Sequence, residues 1–265
     1  MKYAFLGAGK MASAIIQGML RAKLCDAEDI IAACPDAEIL QSLHDATSVR
    51  ISTSNSEAVA AAPVVLLCVK PQEAATALKQ AGSSLEGKLL ISIAAGLSLS
   101  TLTKMAPMSR IIRAMPNTPA LIGRAATAFS GAANMTQADK DCAEAIFASV
   151  GVVSCVSEKL LDAVTALSGS GPAYIFLVIE ALTDGGVSCG LPTDMARQLA
   201  IQTVLGAAEL AKETAEHPAV LREMVTSPGG TTAAALGELE SCGVRSAFIQ
   251  AVRAACRRSK ELSGE

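Results

Sequence analysis

The feature that most constrains the fold is a change of sequence pattern near residue 157. Before it, short runs rich in aliphatic and β-branched residues alternate with stretches of helical character. This alternation is typical of βαβ units and predicts an α/β fold with a doubly wound, mostly parallel sheet. The predicted strands are 2–7, 29–34, 49–53, 63–69, 88–95, 109–116, 125–131 and 151–156.

After residue 157 the strand pattern stops and the chain reads as helical. Breaks such as Gly190-Leu-Pro192 and His217-Pro218 separate helices predicted near 158–188, 193–215, 218–225 and 231–262. A length of 265 residues also favours two domains over one. We therefore predict an α/β domain over residues 1–157 and an all-α domain over 158–265.

The composition is unusually apolar. Hydrophobic residues make up 51% and charged residues 18% of the chain, where about 25% charged is usual. The longest uncharged runs, 163–179 and 89–103, fall short of the ~20 apolar residues of a membrane span and contain Gly, Ser or Pro. We expect the surplus to be buried between subunits of a homo-oligomer, with the apolar segment 173–182 as a buried helix and no membrane as a partner.

Other classes of partner are disfavoured by charge and by residue type. The net charge is −3, and the only dense basic run is the short 253–258 stretch, so nucleic acid is not expected as a partner. Eight cysteines without a CxxC pair and two histidines predict no metal site. The N-terminus lacks the longer apolar region of a signal peptide, which favours a cytoplasmic location.

A glycine-rich motif follows the first predicted strand and opens a helix predicted near 10–21. It has the form GxGxxA, in which the glycines permit a tight turn and let a pyrophosphate approach the amides of a helix N-terminus. Its position between strand and helix predicts dinucleotide binding, and the alternative is a glycine turn without a ligand. The residues are Gly7, Ala8, Gly9, Lys10, Met11 and Ala12.

The end of the second strand bears on which dinucleotide is bound. NAD enzymes usually place Asp or Glu there to hold the ribose hydroxyls, but this strand ends with Cys34 and Pro35, and Asp36 comes only afterwards. The missing carboxylate favours NADPH, although no arginine lies nearby and NADH stays possible. Asn55, with its neighbours Ser54 and Ser56, is either a donor to a 2′-phosphate or the N-cap of the next helix.

Further strand ends are predicted to border the cofactor, because ligands lie beyond the carboxyl ends of strands in a doubly wound sheet. Lys70 is a candidate cation for the phosphates or ribose, or an ordinary surface lysine. Asn117, in the turn "MPNTP", is either a polar contact or the start of an Asx turn. The cofactor-binding residues predicted on this basis are Val69, Lys70, Pro71, Gln72, Ala94, Ala95, Gly96 and Asn117.

The segment "VTSPGGTTA" at 225–233 interrupts the helical region. Pro228 and the two glycines that follow it force the chain to leave the helix and begin another. Free backbone amides at a helix start favour a carboxylate, and the Ser227 hydroxyl can add to them. A simple helix break with a threonine N-cap is the structural alternative.

These motifs together resemble the Δ1-pyrroline-5-carboxylate reductase family. The similarity runs in order through "GAGKMA", "VKPQ", "SIAAG", "RAMPNTP", "LSGSGPAY", "DGGVSCGLP" and "SPGGTTAAALGELE", and so covers essentially the whole chain. The last of these is highly specific to the family. The resemblance implies NAD(P)H-dependent reduction of the cyclic imine 1-pyrroline-5-carboxylate to L-proline. It also implies a dinucleotide-binding Rossmann domain over 1–157 and a helical domain for substrate binding and oligomerisation over 158–265, which forms a homodimer and often a larger ring of dimers such as a decamer.

The resemblance also implies roles for particular residues. It places the substrate carboxylate at the amides of Gly229, Gly230, Thr231 and Thr232 beside Ser227, and the catalytic Thr232 hydroxyl at the ring nitrogen. The imine either binds already protonated or takes its proton through Thr232 and water. The resemblance puts 167–174 beside the nicotinamide, where tight helix packing is the alternative. Glu158 matches a cofactor contact, or is a first-turn acid favoured by the helix dipole.

Two other classes of function stay open at this point. A β-hydroxyacid dehydrogenase would carry a catalytic lysine where this chain has Ile175. A non-enzymatic NADP-sensing protein would have no need of a carboxylate-binding loop. Tight NADPH binding without turnover of a cyclic imine would distinguish the sensor from the reductase.

Overall fold

A computed structural model describes residues 1–263 of the chain and divides them into two compact units. The first unit comprises Met1–Ser170 together with the chain from Ala254 onward, and the second comprises Gly171–Arg253. The functional boundary predicted between residues 157 and 158 stays a prediction.

The first unit is built on one sheet of eight strands. Their order across the sheet is β3-β2-β1-β4-β5-β6-β7-β8, and every neighbouring pair is parallel except β6 and β7. The predicted doubly wound, mostly parallel sheet is confirmed. The strands are β1 (Tyr3–Leu6), β2 (Ile30–Ala33), β3 (Arg50–Ser52), β4 (Val64–Leu67), β5 (Leu89–Ser92), β6 (Arg110–Met115), β7 (Ala125–Gly131) and β8 (Gly151–Cys155).

Helices connect these strands and cover the sheet. In β1, Tyr3 and Phe5 belong to one hydrophobic cluster and Ala4 and Leu6 to another, so the central strand is buried on both faces. A strand covered on both sides reads as a continuous apolar run, which explains the sequence pattern. The helices of this unit are α1 (Lys10–Arg21), α2 (Ala37–Thr47), α3 (Asn55–Ala61), α4 (Pro71–Ala81), α5 (Leu99–Met105), α6 (Gln137–Ala148) and α7 (Leu161–Val164).

The strand order reverses direction between β1 and β4. One half of the sheet grows outward from β1 through β2 to β3, and the other grows from β4 through β5 to β6. Loops leave the carboxyl ends of β1 and β4 toward opposite faces, which opens a crevice between them. This switch point is where an open α/β sheet binds its ligand.

A partly buried ion pair joins the start of β6 to α6. Arg110 Nε donates to both carboxylate oxygens of Asp139, at 3.0 and 2.8 Å, and Thr136 adds its backbone amide and its hydroxyl. Burial alone would raise the pKa of Asp139, but the hydrogen bonds from Arg110 and Thr136 lower it below its ordinary value. The carboxylate therefore stabilises the folded state in its ionised form.

Replacing Asp139 with Asn should lower the free energy of unfolding by about 3 kcal/mol at pH 7, since it leaves Arg110 without its charge partner. Because the pKa is depressed in the folded state, this stabilisation is present above the unfolded value of about 3.9 and is lost as the pH falls through the folded value. Denaturant unfolding at pH 7 and below pH 4 should show the difference between wild type and variant shrinking in acid. The exposed Asp141→Asn on the same helix is the control, and an equal effect of both variants would contradict the assignment.

The second unit is all helical. It contains α8 (Gly171–Ser188), α9 (Thr193–Thr214), α10 (Pro218–Met224), α11 (Thr231–Ser241) and most of α12 (Val244–Ser263), whose last residues belong to the first unit. The predicted all-α region is confirmed in type, and the helices predicted at 193–215 and 218–225 end one residue earlier than expected.

Two of the predicted helices are not continuous. The region predicted as one helix over 231–262 is two helices, because Gly243 adopts φ 71° and ends the first of them. The region predicted as one α-helix over 158–188 begins with a 3₁₀ turn, passes through α7 and a π-helical turn at Thr165–Gly169, and becomes regular only in α8. Pro172 lacks the amide needed to continue the hydrogen bonding of the preceding turns.

The second unit buries little of its own apolar surface. Among residues 171–253, only Ala196 and Ala200 are buried, whereas Phe176 and Leu177 on α8 are each 65% exposed. Within the described chain, Glu158–Ser188 is the one helical stretch long and apolar enough to cross a membrane by length and composition, with mean hydropathy 1.3. The 3₁₀ and π turns inside that stretch and its apolar exposure equally suit a helix that packs against a second subunit.

Candidate functional site

The loop between β1 and α1 is held in a conformation that only glycine adopts easily. Gly7 has φ +100°, and its amide donates to the carbonyl of Ala33 at 2.8 Å. A Cβ atom there would lie 2.9 Å from the carbonyl carbon of Cys68 and 3.0 Å from the amide nitrogen of Val69. The first glycine of the motif therefore lets β1 turn close against the end of β4.

The second glycine faces open space. Gly9 is the N-cap residue of α1, and a Cβ built on it would have no atom of residues 1–263 within 4 Å. No side chain among the described residues caps this helix end, so the first-turn amides of Lys10, Met11 and Ala12 can bind an anion. Ala12 is buried, which explains why a small residue stands at the third motif position.

A cleft of about 600 Å³ borders this glycine turn. Its walls include Gly9 and Lys10 from the motif, Ser13 from α1, Ile39 from α2, and Leu121 from the turn after β6. The adjoining Cys68, at the end of β4, is a neutral thiol, because burial raises its pKa. The glycine turn presents the helix amides and Lys10 to the cleft, and both favour a pyrophosphate, while Glu38 of α2 also borders the cleft.

The end of β2 offers no free carboxylate to a ribose. The Oδ1 atom of Asp36 accepts hydrogen bonds from the amides of Glu38 at 3.0 Å and Ile39 at 3.1 Å, and so caps α2. Cys34 is half-buried and donates its amide to Ser52, and Pro35 is exposed. At the strand end itself this geometry agrees with the sequence argument, whereas the carboxylate of Glu38, the second residue of α2, is exposed on the wall of the cleft.

The alternative of Asn55 as a helix N-cap is wrong. Ser54 is the N-cap of α3, and its Oγ accepts a hydrogen bond from the amide of Glu57 at 3.2 Å. Asn55 is the first residue of the helix, and its Nδ2 donates to Gln80 Oε1 at 2.7 Å. Serine precedes asparagine here, and sequence alone did not decide which of the two would cap. Cofactor binding by Asn55 stays a prediction.

The loops after β4 and β5 lie at the same edge of the sheet as the glycine turn, because β1, β4 and β5 are neighbours and parallel. Lys70 is exposed and is the N-cap residue of α4, with Pro71 at the first helical position and the exposed Gln72 after it. In the other loop, the Ala94 amide donates to Ser92 Oγ at 3.3 Å, and Gly96 has φ +77°. The structure therefore brings these predicted loops together with Gly7–Ala12.

Asn117 holds two parts of the chain together. Its Nδ2 donates to the carbonyl of Ser168 at 2.9 Å, and its Oδ1 accepts from the amide of Ala126 at 2.9 Å. Its side chain forms no cap hydrogen bond to the 3₁₀ turn that follows, within residues 1–263, so the Asx-turn alternative is wrong. A direct contact between Asn117 and the cofactor stays a prediction.

Glu158 bonds to a helix other than its own. Its Oε1 accepts from the amide of Leu99, at the start of α5, at 2.6 Å and from Arg113 at 3.3 Å. Sequence reasoning missed Arg113, although an arginine within the apolar run "RIIRAMP" was the available signal, since a buried arginine requires a carboxylate partner. Glu158 thus bonds to Leu99, three residues after Gly96 along the chain, and its contact with a cofactor stays a prediction.

In the second unit, the segment Ser227–Thr232 forms a tight turn into α11. The Gly230 amide donates to the carbonyl of Ser227 at 3.1 Å, and Gly229 has φ +69°. A Cβ on Gly230 would overlap Ser227 Oγ, so this hydroxyl lies directly against the start of the helix. Glycine is favoured at position 229 because φ is positive there, and at position 230 because a Cβ would collide with the Ser227 side chain.

The threonines are not caps. Gly230 is the N-cap of α11 and Thr231 and Thr232 are its first two residues, so the alternative of a threonine N-cap is wrong. Within the described chain, no hydrogen bond occupies the hydroxyls of Ser227, Thr231 or Thr232. Free first-turn amides with hydroxyls beside them form a site suited to a small carboxylate.

Both the N-terminal and the C-terminal part of the chain match known protein families. Residues 158–262 match the family described as pyrroline-5-carboxylate reductase dimerisation. Residues 2–96 match the family described as NADP oxidoreductase, coenzyme F420-dependent. The second match covers the glycine turn and the loops after β4 and β5.

Individual proteins agree with these families. Pyrroline-5-carboxylate reductase of Synechocystis is 50% identical over 97% of this chain and 96% of its own length, and that of Arabidopsis thaliana is 44% identical over 99% and 95%. Among solved structures, the Coxiella burnetii pyrroline-5-carboxylate reductase has a TM-score of 0.93 at 38% identity. The Plasmodium falciparum pyrroline carboxylate reductase with NADP bound has a TM-score of 0.91 at 34% identity, and each structure covers 99% of this chain and is itself 98% covered.

Proposed function

The chain belongs to the pyrroline-5-carboxylate reductase family, and from this premise we propose that it reduces 1-pyrroline-5-carboxylate to L-proline. The observation that carries the proposal is the Ser227–Thr232 turn, which offers free helix amides and hydroxyls to a small carboxylate, in a chain that also has a glycine turn suited to a dinucleotide. In the reaction, a hydride adds to the imine carbon and a proton to the ring nitrogen, so that the C=N bond becomes a C–N bond.

The residues of the first unit fit NADPH, which supplies the hydride from C4 of its nicotinamide when bound. The open space at Gly9 and the amides of the first turn of α1 suit the pyrophosphate. Asn55 is proposed near the 2′-phosphate, and Cys34 with Pro35 near the adenosine. Lys70 and the loop Ala94–Gly96 are proposed to hold the ribose and nicotinamide at the neighbouring strand ends. NADH is proposed as a weaker alternative.

The second unit is proposed to hold the substrate. The amides at the start of α11 bind the carboxylate, and the Ser227 hydroxyl supplements them. The Thr232 hydroxyl meets the ring nitrogen and holds or passes the proton there. Fixing both ends of the substrate also orients the imine carbon for hydride addition, and such orientation can supply on the order of 7–11 kcal/mol of the rate acceleration.

The assembly is proposed to be a homodimer formed through the helical unit. The exposed apolar side chains of α8 support this proposal, because monomers rarely expose large apolar patches. A decamer made of such dimers is the further assembly proposed from the resemblance. The location is proposed to be the cytoplasm, with neither membrane nor nucleic acid as a partner.

The direct test is oxidation of NADPH and NADH by the purified protein, followed by absorbance, with 1-pyrroline-5-carboxylate beside a six-membered cyclic imine. Turnover of the five-membered imine, abolished by removal of the Ser227–Thr232 turn, is the expected result. NADPH binding without turnover of either imine would overturn the reductase proposal and would favour a sensor of the dinucleotide.

Replacing Gly230 with Ala should raise the KM for the imine about tenfold, because the added Cβ overlaps Ser227 Oγ and displaces it from the helix start. The control is Gly237→Ala on the same helix, where an added Cβ would meet no described atom within 4 Å, and it should leave the KM unchanged. Steady-state kinetics at saturating NADPH gives the KM of each variant. Equal KM values for wild type and Gly230→Ala would show that the turn does not bind the substrate.

A further inference from the structure

The last turn of α12 returns to the first unit and packs beside the loop after β5. Ser259 is 6% exposed, and its Oγ donates to Asp162 Oδ1 at 2.6 Å. Three residues later, the Cβ and the carbonyl oxygen of Leu262 would each lie 3.4 Å from a Cβ built on Gly96. The C-terminal turn therefore meets the Ala94–Gly96 loop directly at Leu262 and is anchored behind it at Ser259.

The anchor belongs to a buried charge cluster. Arg113 on β6 is 2% exposed and lies between two carboxylates, Glu158 and Asp162. Its NH1 bonds to Glu158 Oε1 at 3.3 Å, whereas its NH2 lies 3.8 Å from Asp162 Oδ1 and forms no hydrogen bond among residues 1–263. One guanidinium thus faces two acids, and it is bonded to only one of them.

The hydrogen bond from Ser259 to Asp162 affects which of the two carboxylates, Asp162 or Glu158, the Arg113 guanidinium bonds to. A buried carboxylate needs hydrogen-bond donors, and the Ser259 hydroxyl supplies one to Asp162. Without this hydroxyl, the nearest charged donor left for Asp162 is the unbonded NH2 of Arg113. Moving the guanidinium toward Asp162 would weaken its bond to Glu158, whose Oε1 also fixes the amide of Leu99 at the start of α5.

We propose that Ser259 is a positioning residue for cofactor binding, acting through Asp162, Arg113 and Glu158 on the loop Ala94–Gly96. The inference rests on the proposed binding of NADPH at that loop. Ser259 does not touch the cofactor; it holds Arg113 on Glu158, and Glu158 in turn fixes the start of α5, three residues after Gly96. The C-terminal turn is thereby part of the cofactor site although it lies far from the glycine motif in sequence.

The test compares Ser259→Ala, Ser259→Thr and Ser263→Ala in the full-length protein. Ser263 is on the same helix turn, but its Oγ bonds only to the carbonyl of Ser259 within the described chain. Ser259→Ala should raise the Kd for NADPH, measured by fluorescence titration, about fivefold. Ser259→Thr keeps the hydroxyl and should restore binding to within about twofold, as should Ser263→Ala. The KM for the imine at saturating NADPH should stay unchanged.

Hydrogen exchange supplies a second measurement that a general loss of stability would not mimic. In Ser259→Ala, peptides covering residues 93–99 should exchange faster, whereas those covering α6 should not. A lower Tm with an unchanged Kd for NADPH would make Ser259 purely structural and overturn the proposal. If Ser259→Ala does not fold, Ser259→Cys tests the same bond, because a thiol is a weaker hydrogen-bond donor than a hydroxyl. This variant should also raise the Kd for NADPH, by a smaller factor, and unaltered binding would overturn the proposal.

The proposed function is judged separately on the wild type. If the wild-type protein binds NADPH but turns over no imine, the reductase proposal fails, and the comparison of Kd values still tests Ser259. If the wild-type protein turns over the imine and Ser259→Ala binds NADPH as tightly as wild type, only the positioning role fails.

Discussion

Replacing Thr232 with Ala should lower kcat/KM for 1-pyrroline-5-carboxylate about a hundredfold, the lower end of what a positioned proton donor contributes. Thr232 is the second residue of α11, half-buried, with its hydroxyl unused by the described protein. Alanine is a better helix former than threonine, so the variant should fold as well as wild type. The loss would therefore report on the hydroxyl at the ring nitrogen.

The controls for Thr232→Ala separate the hydroxyl from the methyl group. Thr232→Ser keeps the hydroxyl and should retain most of the activity. Thr226→Ala removes a neighbouring hydroxyl that bonds to the carbonyl of Arg222 at 2.6 Å, and should leave kcat/KM nearly unchanged. Unchanged kcat/KM in Thr232→Ala, together with a loss in Thr232→Ser, would exclude the proposed role of the hydroxyl.

Replacing Gly7 with Ala should both destabilise the protein and nearly abolish NADPH binding. A residue with a Cβ at φ +100° costs about 1–3 kcal/mol in backbone strain. The Cβ would also press on the backbone of Cys68 and Val69, which cannot yield as a flexible side chain would. The loops after β1 and β4 would separate, and both are proposed to border the cofactor. Thermal unfolding and NADPH titration measure the two effects.

Gly9→Ala is the matched partner of that variant. Its backbone, at φ −70° and ψ −179°, suits alanine, and the added methyl group would meet no described atom within 4 Å. The Tm should stay near that of wild type while NADPH affinity falls about tenfold to a hundredfold, since the methyl group fills space proposed for the pyrophosphate. Undiminished NADPH affinity in Gly9→Ala would place the dinucleotide elsewhere.

The fold was predictable because its signals are local. A continuous apolar run such as that of β1 identifies a doubly covered strand, and Gly7–Ala12 between strand and helix identifies the switch point. The positions of the helix ends were harder to predict from the sequence. Gly243 gave a visible signal for ending α11, yet the apolar pattern on either side of it favoured one long helix. Ser54 and Asn55 are both good caps, and the choice between them depends on the fold around them.

The parts of the site that sequence reasoning missed depend on contacts between distant positions. Asp162 and Ser259 are ordinary surface residue types, and only the fold shows that they lie with the predicted site residue Glu158 around Arg113. The periodicity of apolar residues predicts which face of a helix or strand is buried. It does not predict which carboxylates, about fifty residues away along the chain, pair with a buried arginine. The Ser227–Thr232 turn was found because its composition breaks the helical pattern locally.

The near absence of buried residues in 171–253 has a consequence for how the protein folds. A segment of that size with two buried alanines cannot offset the entropy of ordering its own backbone. In the proposed homodimer, this unit completes its folding only when two chains meet, at a rate that rises with the square of the chain concentration, while the sheet unit folds in a first-order step. Newly made chains would pass through a half-folded stage whose lifetime is set by the rate of synthesis, and dilution, more than heat, would be the condition that returns them to it.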